Sequence, residues 1–304
     1  MKLILHGIYP RSEKLVEASR DFDRKRIGER KLKEIIAEDI KELIKIQQKW
    51  DYITNGQFYF QDLLRPFAEL STSVEVNGLK RFYETNFFIR KLNFKKFEFI
   101  KNKKFFEHYL LCDNLFKRED NLVFTFPFIV FFSEFSENIS LSKIGELLLK
   151  VIEELNSWKN KIIIFYEPTI GYRSLKEEEK EISLWFCKKL KEFKNLKFFI
   201  HTFFFDVKSE LEFLFSLDFD GYGFDFYSNS SEHILKEFPQ NKTILLGLIN
   251  TDSTLIEKRE IVVEFFEKTL KFIKNKNIYI CPSGPPELLP REVMDQKIKN
   301  LLKS

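Results

Sequence analysis

Three side chains suited to acid–base chemistry stand where apolar runs of the chain stop. Glu167 follows KIIIFY, His201 follows LKFFI, and Asp225 follows GYGF. Two carboxyl groups and an imidazole brought to one surface can relay protons to and from a small substrate, so these are the catalytic candidates. Arg11 and Lys14 follow the first apolar run, and as fixed cations they suit a polyanionic ligand. Gln57, Asp62 and Asn250 complete the substrate-binding set with Glu167. Each has a purely structural counterpart. Arg11 and Lys14 can be solvated loop cations, Glu167 a bridge between strands, and His201 a satisfied interior imidazole. Asp225 can simply pair with His201 or Arg11.

Such residues act together only if one scaffold delivers them all. Short β-rich runs at 2–6, 52–54, 122–126, 161–165, 197–201, 221–224, 243–247 and 277–281 alternate with amphipathic patterns. The helical patterns cover 31–50, 140–158, 175–193, 207–216, 256–274 and 290–302, with Ser140 and Pro290 at helix starts. This alternation predicts an α/β fold, a (β/α)8 TIM barrel whose active face is built from the C-terminal ends of its strands. Those ends carry His6, Glu167, His201, Asp225, Asn250, Asp252 and Cys281. The rhythm breaks at about 71–121, between strands two and three. Extended stretches at 74–76 and 93–99 and a helical 103–116 predict a hairpin-plus-helix insertion. No Gly/Ser/Pro linker flanks it, so the expectation is one barrel domain over 1–304.

Composition narrows the function classes. With 44% hydrophobic and 32% charged residues the chain is an ordinary globular protein. Its net charge of +4 is spread among alternating Lys and Glu, which argues against a nucleic-acid partner. No apolar run is long enough to cross a membrane or act as a signal peptide. Phe, with 36 copies, reads as core filler and not as a row of stacking platforms. Cys112, Cys187 and Cys281 are too scattered for a disulfide framework, and the expected location is cytoplasmic.

Three segments resemble a known family. FFIHTFFF at 198–205, LDFDGYGFDFYS at 217–228 and ICPSGPPELLPR at 280–291 stand in the order found in the second half of cobalamin-independent methionine synthase. GIYPR at 7–11, GLKRFYETNFFIR at 78–90, EP at 167–168, LLGLIN at 245–250 and PELLPREVMDQKI at 286–298 extend the resemblance over nearly the whole chain. In that family a His-x-Cys, a Glu and a Cys bind the zinc that activates the homocysteine thiol. The matching positions here are His201, Phe203, Asp225 and Gly284. Phe203 and Gly284 offer no ligand atom, and catalytic zinc takes three protein ligands. NGQFYFQD at 55–62, DGYGFDF at 220–226 and the Pro-Ser of 282–283 are more similar to the zinc-free first barrel of the two-barrel enzymes.

The resemblance implies a zinc-free barrel that binds a methyl donor such as a methylated folate or pterin. In this reading Arg11 and Lys14 hold a glutamate tail, and Glu167 takes its family role of holding an amino acid's amine. The chain is expected to bind no cofactor itself. Zinc would belong to a partner, a zinc-bearing methionine synthase barrel. A rebuilt metal site of His201, Asp225 and Cys281 is a further option, requiring the end of strand eight to re-aim its thiol. Two competing functions remain: an independent zinc-free enzyme acting on a small acidic substrate through Glu167, His201 and Asp225, and a non-catalytic interaction protein. The latter would have its pocket collapsed under Phe203 and Phe224.

Overall fold

Runs such as LVFTFP, KIIIFY and TILLGLI are apolar at nearly every position because their strands are covered on both faces. The computed structural model describes residues 1–274 and 277–302. The elements begin β1 (Lys2–Leu3), α1 (Glu13–Asp23), α2 (Glu29–Gln47), β2 (Ile53–Thr54), β3 (Ser71–Arg81) and β4 (Phe88–Phe99). Next come β5 (Leu122–Pro127), α3 (Ile129–Glu134), β6 (Ser136–Glu137), α4 (Leu141–Asn156), β7 (Lys161–Tyr166), α5 (Thr169–Tyr172) and α6 (Glu177–Leu190). The chain continues through β8 (Leu196–Thr202), α7 (Leu211–Ser216), β9 (Gly221–Asp225), α8 (Ser231–Glu237), β10 (Thr243–Ile249), α9 (Arg259–Phe272), β11 (Ile278–Pro282) and α10 (Arg291–Leu302).

Eight parallel strands stand side by side in the order β1, β11, β10, β9, β8, β7, β5, β2, so sequence order runs around the curled sheet and β1 and β2 form its two edges, facing each other at the seam without a ladder between them. The Tyr9 N–H donates to the Gly56 carbonyl across that seam at 2.9 Å. This is the α/β barrel that the alternation predicts. Side chains along a strand alternate between the barrel axis and the surrounding helices. Ile4, Val123, Ile164, Phe199 and Leu245 form an interior cluster, while Phe124, Ile163, Phe165 and Ile200 join the larger core under the helices. Two residues along from the interior set come His6, Thr125, Tyr166, His201 and Gly247. The same register sets Tyr166 beside His201 and His201 beside Gly223.

The helices follow from their apolar stripes. On α4, Ile144, Leu147, Leu148, Val151, Ile152 and Leu155 share one buried face, and the Ser140 hydroxyl accepts from the Lys143 N–H. Pro290 stands one residue before α10, its carbonyl accepting from Met294. Several expectations need correction. Strand one is ladder-paired only over Lys2–Leu3, since the chain leaves the sheet toward Gly7, a positive-φ turn. Lys14 lies on α1 and not in a loop. Ser12 caps that helix and is itself held by Asp39, a partner distant in sequence. Short α3 and α8 also went unpredicted. Between β2 and β5, the β3–β4 hairpin is far longer than expected, and the helical stretch narrows to a π-type turn at Phe105–Leu110.

Phe serves as filler. Phe22 and Phe88 are the exposed copies among the described residues. No described helix is long and apolar enough to cross a membrane.

Candidate functional site

At the C-terminal mouth of the barrel, strand alternation brings His6, Tyr166, His201 and Cys281 into one buried layer. The Tyr166 hydroxyl lies 2.6 Å from His6 Nδ1, and His6 Nε2 lies 3.1 Å from the Pro282 carbonyl. His201 Nε2 faces the Cys281 Sγ at 3.6 Å. Its Nδ1 is buried without a hydrogen-bond partner. Gly223 makes room, since a Cβ there would come within 2.5 Å of the His201 ring. Burial pushes the His201 imidazole down to about 3. Burial and the neighbouring His201 together hold His6 well below the usual range, so both rings are neutral at physiological pH.

The other candidates are mostly engaged in backbone bonds. Glu167 is fully buried and accepts from the N–H groups of Phe131 at 2.9 Å and Thr169 at 3.2 Å. It bridges the loops after β5 and β7, and burial pushes its carboxyl up to about 7. Asp225 accepts from the Tyr227 and Phe204 N–H groups and the Ser228 hydroxyl. It makes no hydrogen bond or ion pair to His201 or Arg11, and the ligand atoms that come together are those of His6, His201 and Cys281, without Asp225. Gln57 is fully buried and exchanges two hydrogen bonds with the Thr125 backbone. Asp62 accepts from the N–H groups of Leu64 and Arg65, just ahead of the 3-10 turn Arg65–Leu70. Asn250 closes a turn onto the Asp252 N–H. Lys14 is exposed and paired with Glu38.

Two of the positions that the resemblance matches to the family's zinc ligands, Phe203 and Gly284, are neighbours in space. A Cβ placed on Gly284 would lie 3.5 Å from the Phe203 Cβ. The residues now there do not fit the ion: Phe203 and Gly284 have no donor, and loop hydrogen bonds occupy Asp225. Aromatic packing fills the space. The Phe203 ring sits 4.8 Å from those of Tyr166 and Phe204. Above them the turn joining β3 and β4 lowers Phe82 onto Phe204 at 5.8 Å and Tyr83 onto Thr169, hydroxyl to hydroxyl at 2.7 Å. The insertion thus packs over the mouth with Phe82 and Tyr83.

Two openings remain near the mouth. A rim pocket of about 520 Å³ lies between Thr85, Asn86, Asp252 and Glu287. Burial raises the Glu287 carboxyl to about 7, and its Oε2 has no hydrogen-bond partner. On the flank, a cleft of about 280 Å³ is lined by Arg11, Phe58, Tyr59, Arg65, Lys104 and His108. Arg11 and Arg65 make no side-chain ion pair within 4 Å there. A larger hollow of about 550 Å³ beside Glu29, Arg30 and Cys112 reaches none of the strand-end candidates. Sequence reasoning placed His6 at a strand end without giving it a role, and it missed Glu287 and Arg65. Alternation from Ile4 could have set His6 level with His201. Nothing local to Arg65 or Glu287 reveals that folding brings each near Arg11.

Comparison with known proteins identifies the family and the same fold. The family model for the cobalamin-independent synthase N-terminal domain matches residues 73–271. The 5-methyltetrahydropteroyltriglutamate–homocysteine methyltransferase of Lactococcus lactis subsp. cremoris (strain SK11) is 23% identical over 222 residues, covering 70% of this chain but 28% of that enzyme. A methionine synthase of Sulfurisphaera tokodaii is 22% identical over 309 residues, covering 98% of this chain and 89% of the relative. Among solved structures, a B12-independent methionine synthase from Shewanella sp. W3-18-1 in complex with selenomethionine superposes with a TM-score of 0.75 at 16% identity. It covers 91% of this chain and 88% of that one. A putative vitamin-B12-independent methionine synthase from Listeria monocytogenes also gives 0.75, at 14% identity over 99% of this chain and 96% of that one.

Proposed function

The chain belongs to the cobalamin-independent synthase family, matching its N-terminal domain, and from that premise we propose that it serves methyl transfer to homocysteine as a donor-binding or supporting barrel. A separate zinc-bearing barrel would supply the catalysis. The observation that carries this reading is the contrast at the mouth. The positions matched to the thiol-activating zinc's ligands include Phe203 and Gly284, while a cleft lined by Arg11, Lys33, Arg65 and Lys104, with Glu29 and Glu69 among them, stays open on the flank. Methyl transfer to a thiol needs the thiolate, and lowering a thiol's pKa at neutral pH takes a nearby cation or metal. No family zinc can form here, so the activation falls to the partner. Arg11, with Arg65 beside it and Lys14 on the adjoining helix, would hold the glutamate tail of a methylated folate or pterin by charge. Three buried, unpaired thiols support a cytoplasmic setting.

The test is co-expression with a short zinc-bearing barrel of the same family, followed by a methionine-formation assay on the purified complex. The expected result is a stable complex whose turnover exceeds that of the zinc-bearing barrel alone, with no turnover by this chain alone. Methionine formed by this chain alone would overturn the proposal. A second reading, a non-catalytic interaction protein, is favoured by the aromatic plug of Phe82, Tyr83 and Phe203. It expects complex formation with no change in donor affinity or turnover. An independent enzyme using Glu167, His201 and Asp225 is disfavoured, because backbone and loop bonds already occupy both carboxyl groups.

A further inference from the structure

We propose that His6, His201 and Cys281 form a closed site for a divalent cation of zinc type inside the barrel, sharing only His201 with the positions matched to the family's zinc ligands. One candidate ligand atom from each residue lies within 4.8 Å of the others, and all three side chains are shielded from solvent. The Cys281 Sγ and His201 Nε2 stand 3.6 Å apart. Bond lengths of about 2.3 Å to sulfur and 2.0–2.1 Å to nitrogen set a tetrahedral edge of about 3.5 Å, so this pair already has the spacing. The remaining gaps close with side-chain shifts of about an ångström.

Unmet bonding also points to an ion. The His201 imidazole has one buried nitrogen without a partner, while the other faces a thiol, a weak hydrogen-bonding group. His6 has two hydrogen bonds and enters the shell by releasing one. The other keeps its ring oriented, as outer-shell bonds do for metal-bound histidines. The Tyr166 hydroxyl, bonded to His6, is available as a fourth donor. On binding, the Sγ–H bond breaks, its proton leaves to solvent and the sulfur–metal bond forms, while both imidazoles bind neutral.

Because the ligands are closed off, the ion would stabilise the barrel without activating a substrate thiol. The site departs from the expectation that this chain holds no metal, but it does not rest on the proposed function.

The test uses the full chain, stripped by chelator and titrated with cobalt(II). The expected result is binding of about one ion per chain with thiolate-to-cobalt charge-transfer absorption, accompanied by a rise in Tm. Cys281→Ser should abolish the absorption and His6→Gln should weaken binding at least tenfold, while Cys112→Ser and Cys187→Ser leave both unchanged. Absence of the band at saturating cobalt, or its persistence in Cys281→Ser, overturns the site. Should Cys281→Ser fail to fold, X-ray absorption on the loaded wild type decides. One sulfur and two imidazole nitrogens support the proposal, and a shell of oxygen and nitrogen alone defeats it.

Discussion

The barrel mouth and the flank cleft are close neighbours built on opposite principles. At the mouth, almost every polar group that looks catalytic is bonded to backbone or buried under aromatic rings. In the cleft, Arg11 and Arg65 make no ion pair within 4 Å among the described residues, although Glu287 and Asp62 lie near Arg11, and the surface stays open. A buried polar group must find a partner within the protein or destabilise the fold, whereas a half-exposed cation can keep its water until a ligand arrives. The difference teaches that a polar residue at a strand end need not face substrate. In this barrel the better binding candidates lie beside the mouth.

The comparison breaks most easily at Phe203. Phe203→Ala should cost about 3–5 kcal/mol in chemical denaturation, because it empties a site packed between Tyr166, His201 and Phe204. A loss below about 1 kcal/mol would mean that the mouth is not sealed by packing. Next comes Glu167→Ala, which leaves the Phe131 and Thr169 N–H groups unpaired. The expected loss is roughly 2–4 kcal/mol in the absence of any ligand. Unchanged stability with weakened ligand binding would instead return Glu167 to a substrate role.

Glu287 stands between the two regions, and its pH dependence sharpens the contrast. Its folded carboxyl titrates near 7 through burial, above the 4.5 of an ordinary Glu. The contribution to stability is therefore present below pH 4.5 and lost as pH rises through 7. Relative to Glu287→Gln, the wild type should lose on the order of 2 kcal/mol between pH 4.5 and 8, read from denaturant midpoints. A parallel pair of profiles would show that the carboxyl is not held in its buried, protonated form. Tyr83→Phe, which removes the bond to Thr169, should cost about 1 kcal/mol.

The smallest stability effect belongs to the cleft. Arg11→Gln should change unfolding free energy by less than about 0.5 kcal/mol, yet weaken binding of an oligoglutamate-bearing pterin roughly tenfold. Calorimetry at two salt concentrations checks it, since the wild-type advantage should shrink as salt rises. Equal affinities of the two proteins would remove Arg11 from the ligand.

Much of the frame was legible in the chain. Barrel strands two to eight follow from apolar runs whose ends carry the candidate polar residues, because burial on both faces requires such runs. The excursion between the second and third strands showed as a break in rhythm, but its reach did not. Nothing in KRFYETN announces that Phe82 and Tyr83 will land on Phe204 and Thr169. The same limit hid α1, whose capping Ser12 is held by the distant Asp39.

The sequence by itself determined the family and the α/β barrel, since those depend on residue type and order. Only the tertiary structure decided which polar groups are already engaged. It brought Phe131 to Glu167, Phe204 to Asp225, and His6 and Cys281 to His201. Hydrogen bonds and metal sites depend on distances of about 3 Å between residues far apart in the chain, and folding sets those distances.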